Sequence, residues 1–379
     1  MVRAPGLRSE PPKYSDPATY SGLSGPGQPI SGTGLGGYRM GREGVMYRGP
    51  DPKPSWLPLG DRAKGTAVKN GLIPDLRPIW DLHLRDTSVC LGADGNYYMT
   101  GSTGDNIWDL NDGVELYRSQ DLRTWEYLGL VWSIDRDGTW EKQFRYMWAP
   151  EIHVIHHNFV ITYCMSGGES GRGGGTGLLV SKTGKAEGPY INPIAAAKPL
   201  TGGIDATVFE DDDGSVYFTN GAGGTLHKMK PDLSAFDGDP VRTKIDVPKD
   251  AKGPKRLGHE GVALFKANGK YYLSAADTYE GRYSSICAVS DRVAGPYVML
   301  EEAVPCGAGG NYFKDRDGNW WCTYFGNDEQ SPFREKPSLV RIEFGANHEV
   351  RIADEQPPFV LQDGAPTHWR GTSPRSSRP

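Results

Sequence analysis

Three carboxylates, Asp86, Asp205 and Glu260, each stand eight residues ahead of a glycine turn: Asp94-Gly95, Asp213-Gly214 and Asn268-Gly269. Two further turns, His157-Asn158 and Asp317-Gly318, have Ala149 and Gly309 at that distance. Carboxylates at one register of a repeated element converge on one pocket. There they repel each other and lose water, an arrangement that costs stability unless it performs chemistry. Cleavage of a glycosidic bond uses such a set: one carboxylic acid protonates the leaving oxygen, and one carboxylate activates water or attacks carbon. A third acidic group holds the acid protonated by like-charge repulsion.

The elements that must position these residues are strands. After the turns come Tyr97-Tyr98-Met99, Val160-Ile161-Thr162, Val216-Tyr217-Phe218, Tyr271-Tyr272-Leu273 and Trp320-Trp321-Cys322. Asp-Gly and Asn-Gly between such runs signal tight hairpins whose two central residues both take φ > 0. The hairpins recur at roughly 50–60 residues, about the length of one four-stranded propeller blade. Later strands repeat as well, at Val114–Ser119, Gly177–Ser181 and Ser285–Ser290, with the punctuation Gly188-Pro189-Tyr190 and Gly295-Pro296-Tyr297. The expected fold is an all-β, five-bladed β-propeller over residues 78–362, with no ten-residue helix in its body. Residues 1–77 read as a Gly/Pro-rich N-terminal arm and 363–379 as a disordered tail. If the first strand of each hairpin lines the central axis, side chains at its start ring one mouth of the channel.

Plainer readings compete at each position. An Asp before a strand is often a turn cap, which would account for Asp86. Glu260 opens an apolar strand between Gly258 and Gly261, where a cap has little use, and Asp205 has a similar small-residue setting. Asp211, Asp212 and Asp213 read as a solvated hairpin tip. Glu151, two residues past the shared register, reads as an anchor on the same face, deeper in the channel. His259 is expected on the strand face opposite Glu260, in a structural role. The eight histidines form no HExxH pattern, so no catalytic zinc is expected. The glycine run at 167–175 lacks the GK[ST] of a phosphate loop. Trp108 and Trp148 are candidate platforms for a sugar face, and Arg282 and the loop 166–176 candidate substrate contacts.

Bulk properties narrow the partners. The chain has 379 residues, 37% of them hydrophobic, with 51 Gly and 29 Pro, enough for one large β domain with extensions. A net charge of −5 with no basic run excludes nucleic acid and anionic membranes as expected partners. No apolar stretch approaches the ~18 residues of a membrane span. The N-terminus lacks the apolar core of a signal peptide, so either the protein is cytoplasmic or a native signal was removed and a starting Met supplied; a secreted or periplasmic location is expected. Cys90, Cys164, Cys287 and Cys322 fall in expected strands as buried free thiols, and Cys306 follows a loop.

These residues together resemble glycoside hydrolase family 43, in the clan of five-bladed β-propeller glycosidases. The resemblance spans about residues 80–345. It rests on Leu84-Arg85-Asp86-Thr87-Ser88-Val89, Tyr146–His153 with its Trp148-Ala149-Pro150-Glu151, Gly203-Ile204-Asp205-Ala206, His259-Glu260-Gly261-Val262 and Tyr312–Trp321. It implies an inverting enzyme in which Asp86 is the general base, Asp205 the pKa modulator that orients the acid, and Glu260 the general acid. Implied substrates are terminal or side-chain arabinofuranosides, xylosides or galactans. Two departures stand out: Thr87 follows Asp86 where the family often has Pro, and the Gly307–Gly310 run lacks the His that often helps hold a channel calcium. No cofactor is expected to be required. A retaining fructosidase of the related families is disfavoured by the missing Asn-Asp-Pro-Asn-like and Glu-Cys motifs. A non-catalytic sugar-binding propeller is opposed by the intact acidic trio.

Overall fold

In the computed structural model the described residues are 38–40, 46–48, 84–103, 111–144, 146–166, 174–194, 198–251, 255–279, 282–305, 307–326 and 336–360. Trp108, Cys306, the 363–379 tail and nearly all of the 1–77 arm lie outside them. Within the arm, β1 (Tyr38–Met40) and β2 (Met46–Arg48) pair as a short antiparallel hairpin.

Five sheets of consecutive strands follow. Blade 1 is β3 (Leu84–Leu91), β4 (Tyr97–Thr103), β5 (Gly113–Ser119) and β6 (Trp125–Ser133). Blade 2 is β7 (Tyr146–Ile155), β8 (Asn158–Ser166), β9 (Gly175–Ser181) and β10 (Tyr190–Ile191). Blade 3 is β11 (Thr207–Glu210), β12 (Val216–Thr219), β13 (Thr225–Lys228) and β14 (Val241–Arg242). Then β15 (Ile245–Asp246) joins the outer edge of blade 4, pairing in parallel with β19 (Tyr297–Val304) beside β18 (Arg282–Ser290), β17 (Lys270–Tyr279) and β16 (Glu260–Ala267). Blade 5 is β20 (Tyr312–Lys314), β21 (Trp320–Tyr324), β22 (Ser338–Phe344) and β23 (Val350–Ile352). The five-bladed, all-β reading holds. Among the described residues helix is confined to single turns such as α1 (Ile134–Asp137).

The turns are of two kinds. In blades 1, 3 and 5 the N–H of Gly95, Gly214 and Gly318 donates to the carbonyl three residues earlier, and only that glycine has φ > 0. In blades 2 and 4 two-residue turns put both members at positive φ, Asn268-Gly269 in one and His156-His157 in the other. The Asp-Gly turns are thus longer than the expected two-residue hairpins, and the blade 2 turn sits one residue ahead of His157-Asn158. A glycine after Asp fits either turn, so the dipeptide alone does not fix the loop length.

Apolar side chains pack between blades. Leu84, Val89 and Met99 of blade 1 share one cluster with Phe265 and Tyr272 of blade 4 and Tyr312, Trp321 and Val340 of blade 5. Trp132, Trp140, Met147, Ile161 and Tyr163 fill the seam of blades 1 and 2. Val160, Leu178, Val208 and Phe218 join blades 2 and 3, and Leu226, Val262, Leu273 and Tyr297 join blades 3 and 4. Cys90, Cys164, Cys287 and Cys322 are buried free thiols, as expected. The innermost strands keep an open edge, and polar side chains of neighbouring blades cover it. Asn311 accepts the Val89 N–H at 3.0 Å and donates to the Val89 carbonyl at 2.9 Å, closing blade 5 on blade 1. Asn111 makes the same pair of bonds with Met147 of blade 2, at 3.0 and 2.8 Å.

Candidate active site

Each innermost segment contains one residue in the left-handed region: Asp86 (φ 51°), Ala149 (45°), Asp205 (54°), Gly261 (65°) and Gly309 (70°). Counted along the ladders these five are equivalent. Each lies six residues before Gly92, Ile155, Asp211, Ala267 or Asp315, the last residue to pair across its turn. Asp86 and Asp205 therefore share a register, while Glu260 stands one residue ahead of it. Counting back from the glycine turns hid that offset, because the blade 4 turn is shorter than those of blades 1 and 3. The left-handed residues coincide with ladder shifts between Arg85 and Ser88, Trp148 and Glu151, and Glu260 and Ala263. A bulge of this kind re-aims side chains at the end of a strand. Asp tolerates the left-handed region better than most residues, and such strain gathers at functional sites.

The five kinks meet around one point. A Cβ on Gly261 would stand 3.1 Å from Gly309 Cα, and one on Gly309 would stand 3.3 Å from Asp86 Oδ1. Asp205 Oδ2 accepts the Gly261 N–H at 2.8 Å. Ser102 on β4 donates its hydroxyl to Asp86 Oδ2 and itself accepts the Ala149 N–H at 2.7 Å. On the far side, Tyr283 of β18 donates its hydroxyl to Glu260 Oε1 at 3.1 Å. Burial, followed by the charge of Asp86, pushes the Asp205 carboxyl well above the ordinary carboxylate range, with smaller contributions from Glu260 and Glu151. Burial and the charges of Glu260, Asp86 and Asp205 likewise push the Tyr283 phenol up, so it remains a donor. A pocket where burial and mutual repulsion retain a proton on an acidic set can hold a carboxylic acid and a carboxylate side by side.

The structure thus brings Asp86, Asp205 and Glu260 together. Thr87 is fully buried. Its hydroxyl donates to the Leu84 carbonyl at 3.3 Å, and its own carbonyl accepts from Thr323, so a Thr is integrated where the family often has Pro. Glu151 is buried against His153 Nε2 at 3.0 Å and reaches Asp205 through its charge. Trp148 stacks on Tyr146 with ring centroids 5.6 Å apart, one residue from the Ala149 kink. Arg282 opens β18 opposite Tyr279, and its side chain lies outside the described residues. His259 is not turned away from Glu260 as expected, since its Nε2 stands 3.4 Å from Glu260 Oε1. The His259 N–H and Glu260 both meet Ala276, and the ladder is irregular from Glu260 to Ala263, so the strict alternation of that expectation does not hold here.

Ser102 and Tyr283 went unmarked in the sequence, since Ser and Tyr are ordinary strand residues. The available signal for Ser102 was its neighbour Gly101, where a Cβ would meet the Arg85 carbonyl at 2.4 Å. Among the described residues no group of three or more His, Cys, Asp or Glu side chains is arranged to hold a metal ion. The wall beside Asp86 is apolar, formed by Phe325, Ala308, Ala276 and Tyr283. No helix among the described residues is long and apolar enough to cross a membrane.

Comparison with known proteins places the chain among relatives. A xylosidase/arabinosidase of Humicola insolens is 29% identical over 61% of this chain and 41% of its own length. A xylan 1,3-beta-xylosidase of a Vibrio species is 27% identical over 62% of this chain and 43% of its own. The chain thus spans less than half the length of these two relatives. A family-43 enzyme of Xanthomonas citri complexed with xylose shares the fold with a TM-score of 0.60, at 19% identity, covering 77% of this chain and 96% of that one. The profile of Glycosyl hydrolases family 43 matches residues 76–350, the span that carries all five kinks and the acidic trio, and the chain belongs to that family.

Proposed function

We propose that this protein is an inverting glycoside hydrolase that removes terminal or side-chain xylosyl or arabinofuranosyl units from polysaccharides or oligosaccharides. In a single displacement, Glu260 gives its proton to the glycosidic oxygen as the bond to the anomeric carbon breaks. Asp86 takes a proton from the water that attacks the opposite face. Asp205, fixed by the Gly261 N–H, stands beside both and limits how much negative charge the pocket holds. The observation that carries the reading is the meeting of Asp86, Asp205 and Glu260 at kinked strand ends, where burial and the charge of Asp86 push the Asp205 carboxyl up. The sugars follow the relatives named above, and Trp148 on Tyr146 offers an apolar face for one.

The test is hydrolysis of xylo-oligosaccharides and arabino-oligosaccharides, whose sugar leaving groups require a proton, with wild type beside Glu260→Gln. Activity should fall by ~10²–10⁴-fold in the variant, the usual worth of a general acid. NMR of the first-formed sugar should show the inverted anomer. Equal activity in both proteins would remove Glu260 from the mechanism. Silence from folded wild type on these and on xylan and arabinan would overturn the glycosidase reading.

A further inference from the structure

Resting on the reading of Glu260 as the acid, we infer that His259, held by Asp277, is a positioning residue for that acid. Gly258 sets how closely the chain approaches β17. A Cβ there would lie 2.7 Å from both the Ala275 Cβ and the Ala276 carbonyl, so its absence lets the chain ahead of β16 press onto β17. The His259 N–H then donates to the Ala276 carbonyl at 3.0 Å, which sets the ring beside Asp277, the next residue of β17. His259 Nδ1 stands 3.5 Å from Asp277 Oδ1, and its Nε2 stands 3.4 Å from Glu260 Oε1. One imidazole thus spans two carboxyl groups through its two nitrogens.

Asp277 is itself anchored. Its Oδ2 accepts from Arg256 Nε at 2.8 Å, its Oδ1 accepts the Thr278 N–H at 2.7 Å, and it is 6% exposed. Burial pushes its carboxyl up, but the Arg256 and Thr278 bonds and the charges of Arg256 and His259 hold it below the usual range. An ionised Asp277 facing Nδ1 keeps a proton on that nitrogen and fixes the ring, as carboxylate partners of functional histidines do. In the doubly protonated ring Nε2 also carries an N–H, and that N–H is presented to Glu260 Oε1. The charged and titratable groups around the pair are Asp277 on β17, Arg256 behind it, Tyr283 on β18, and Asp86 and Asp205 across the channel.

The consequence is an assignment of the two carboxyl oxygens. Glu260 Oε1 meets the Tyr283 hydroxyl on one side and His259 Nε2 on the other. Oε1 is the anchored oxygen, and Oε2 is the one that delivers the proton to the leaving group. Without His259 the carboxyl keeps one anchor and rotates about its last bond, so the proton is misaimed. A misplacement of about 1 Å at a reacting group costs ~10²-fold, and one lost anchor of two should cost on the order of tenfold.

Dependence on the leaving group separates positioning of an acid from general damage. A dinitrophenyl glycoside departs without a proton, whereas a disaccharide of the same sugar requires one. The experiment measures kcat and KM on both substrates for wild type, Glu260→Gln, His259→Ala, His259→Gln and Asp277→Asn. In His259→Ala, kcat on the disaccharide should drop ~10-fold or more, with KM unchanged and the dinitrophenyl rate within ~3-fold of wild type. His259→Gln, which can still reach Oε1 with an N–H, should recover most of the loss. Asp277→Asn should show the same selectivity at smaller size. Equal losses on both substrates, or none on the disaccharide, would overturn the inference. The glycosidase reading is judged separately, by wild-type turnover and by selective loss in Glu260→Gln. A disaccharide-selective loss in Glu260→Gln alone leaves that reading standing while sinking this one.

Discussion

An ionised Asp205 would face the charge of Asp86 from a partly buried position, and both effects hold its proton more tightly than water would. In the unfolded chain the same group is an ordinary Asp near 3.9. A folded-state value above the unfolded one means that its contribution to stability is fully present below the unfolded pKa and is lost as pH rises through the folded one. Asp205→Asn removes that loss, and its amide oxygen can still accept the Gly261 N–H. The variant should melt higher than wild type at neutral and alkaline pH, with the difference shrinking towards pH 4, while hydrolysis falls by about a hundredfold. Melting curves that coincide at every pH would contradict this account of the site. The acids were legible in the sequence because a carboxylate beside small residues at a strand start has few structural uses. Ser102, Tyr283 and Asp277 were not, because nothing local distinguishes a Ser or Tyr that bonds one of these acids, or an Asp that faces His259, from one that bonds the backbone.

At the scale of the strand, the repeated feature is a left-handed residue six places before the end of each innermost ladder. The blades fill it differently: Asp in two, Ala in one, Gly in two. The repeat period and the strands were readable from turn residues and alternating apolar runs. The kink was not, since Asp and Ala give no sign of positive φ, and turns of two lengths shifted the count by one at Glu260. Gly309 shows what the kink demands. A Cβ there would come within 2.4 Å of the Phe325 ring and 3.3 Å of Asp86 Oδ1, whereas one on Gly318, also left-handed, would meet nothing within 4 Å. Gly318→Ala should therefore cost about 1 kcal/mol of conformational strain and leave kcat unchanged. Gly309→Ala adds overpacking of about 1–3 kcal/mol and pushes on the proposed base, so both Tm and kcat should fall. Equal Tm and equal activity in the two variants would show that the Phe325 ring yields freely and that the kink does not hold Asp86.

Across the whole molecule, every blade consists of consecutive strands, and among the described residues no strand from the N-terminal side completes blade 5. Ring closure therefore falls to side chains. Asn311 pairs with both backbone groups of Val89, Thr323 donates to the Thr87 carbonyl, and the apolar cluster of blades 1, 4 and 5 lies behind them. On the opposite flank Ser88 accepts the Ile152 N–H of blade 2 at 3.1 Å. The segment just past Asp86 is thus gripped at Thr87, Ser88 and Val89 from both neighbouring blades, so closing the ring and placing the proposed base are one event. Asn311→Ala leaves a buried N–H and a buried carbonyl unpaired, at about 1–3 kcal/mol each. The expected result is a Tm lower by several degrees, with little dependence on salt because the lost bonds are neutral. Activity should decline below that Tm, as β3 loosens before the blades melt. Asn111→Ala breaks the same two bonds between blades 1 and 2 but leaves β3 held, so it should lower Tm while activity persists up to the melt. Thermal inactivation that tracks melting identically in both variants would mean that the base does not depend on the closure. A gap between inactivation and melting in Asn311→Ala alone would place the origin of the site's order in the seam that joins the two ends of the propeller.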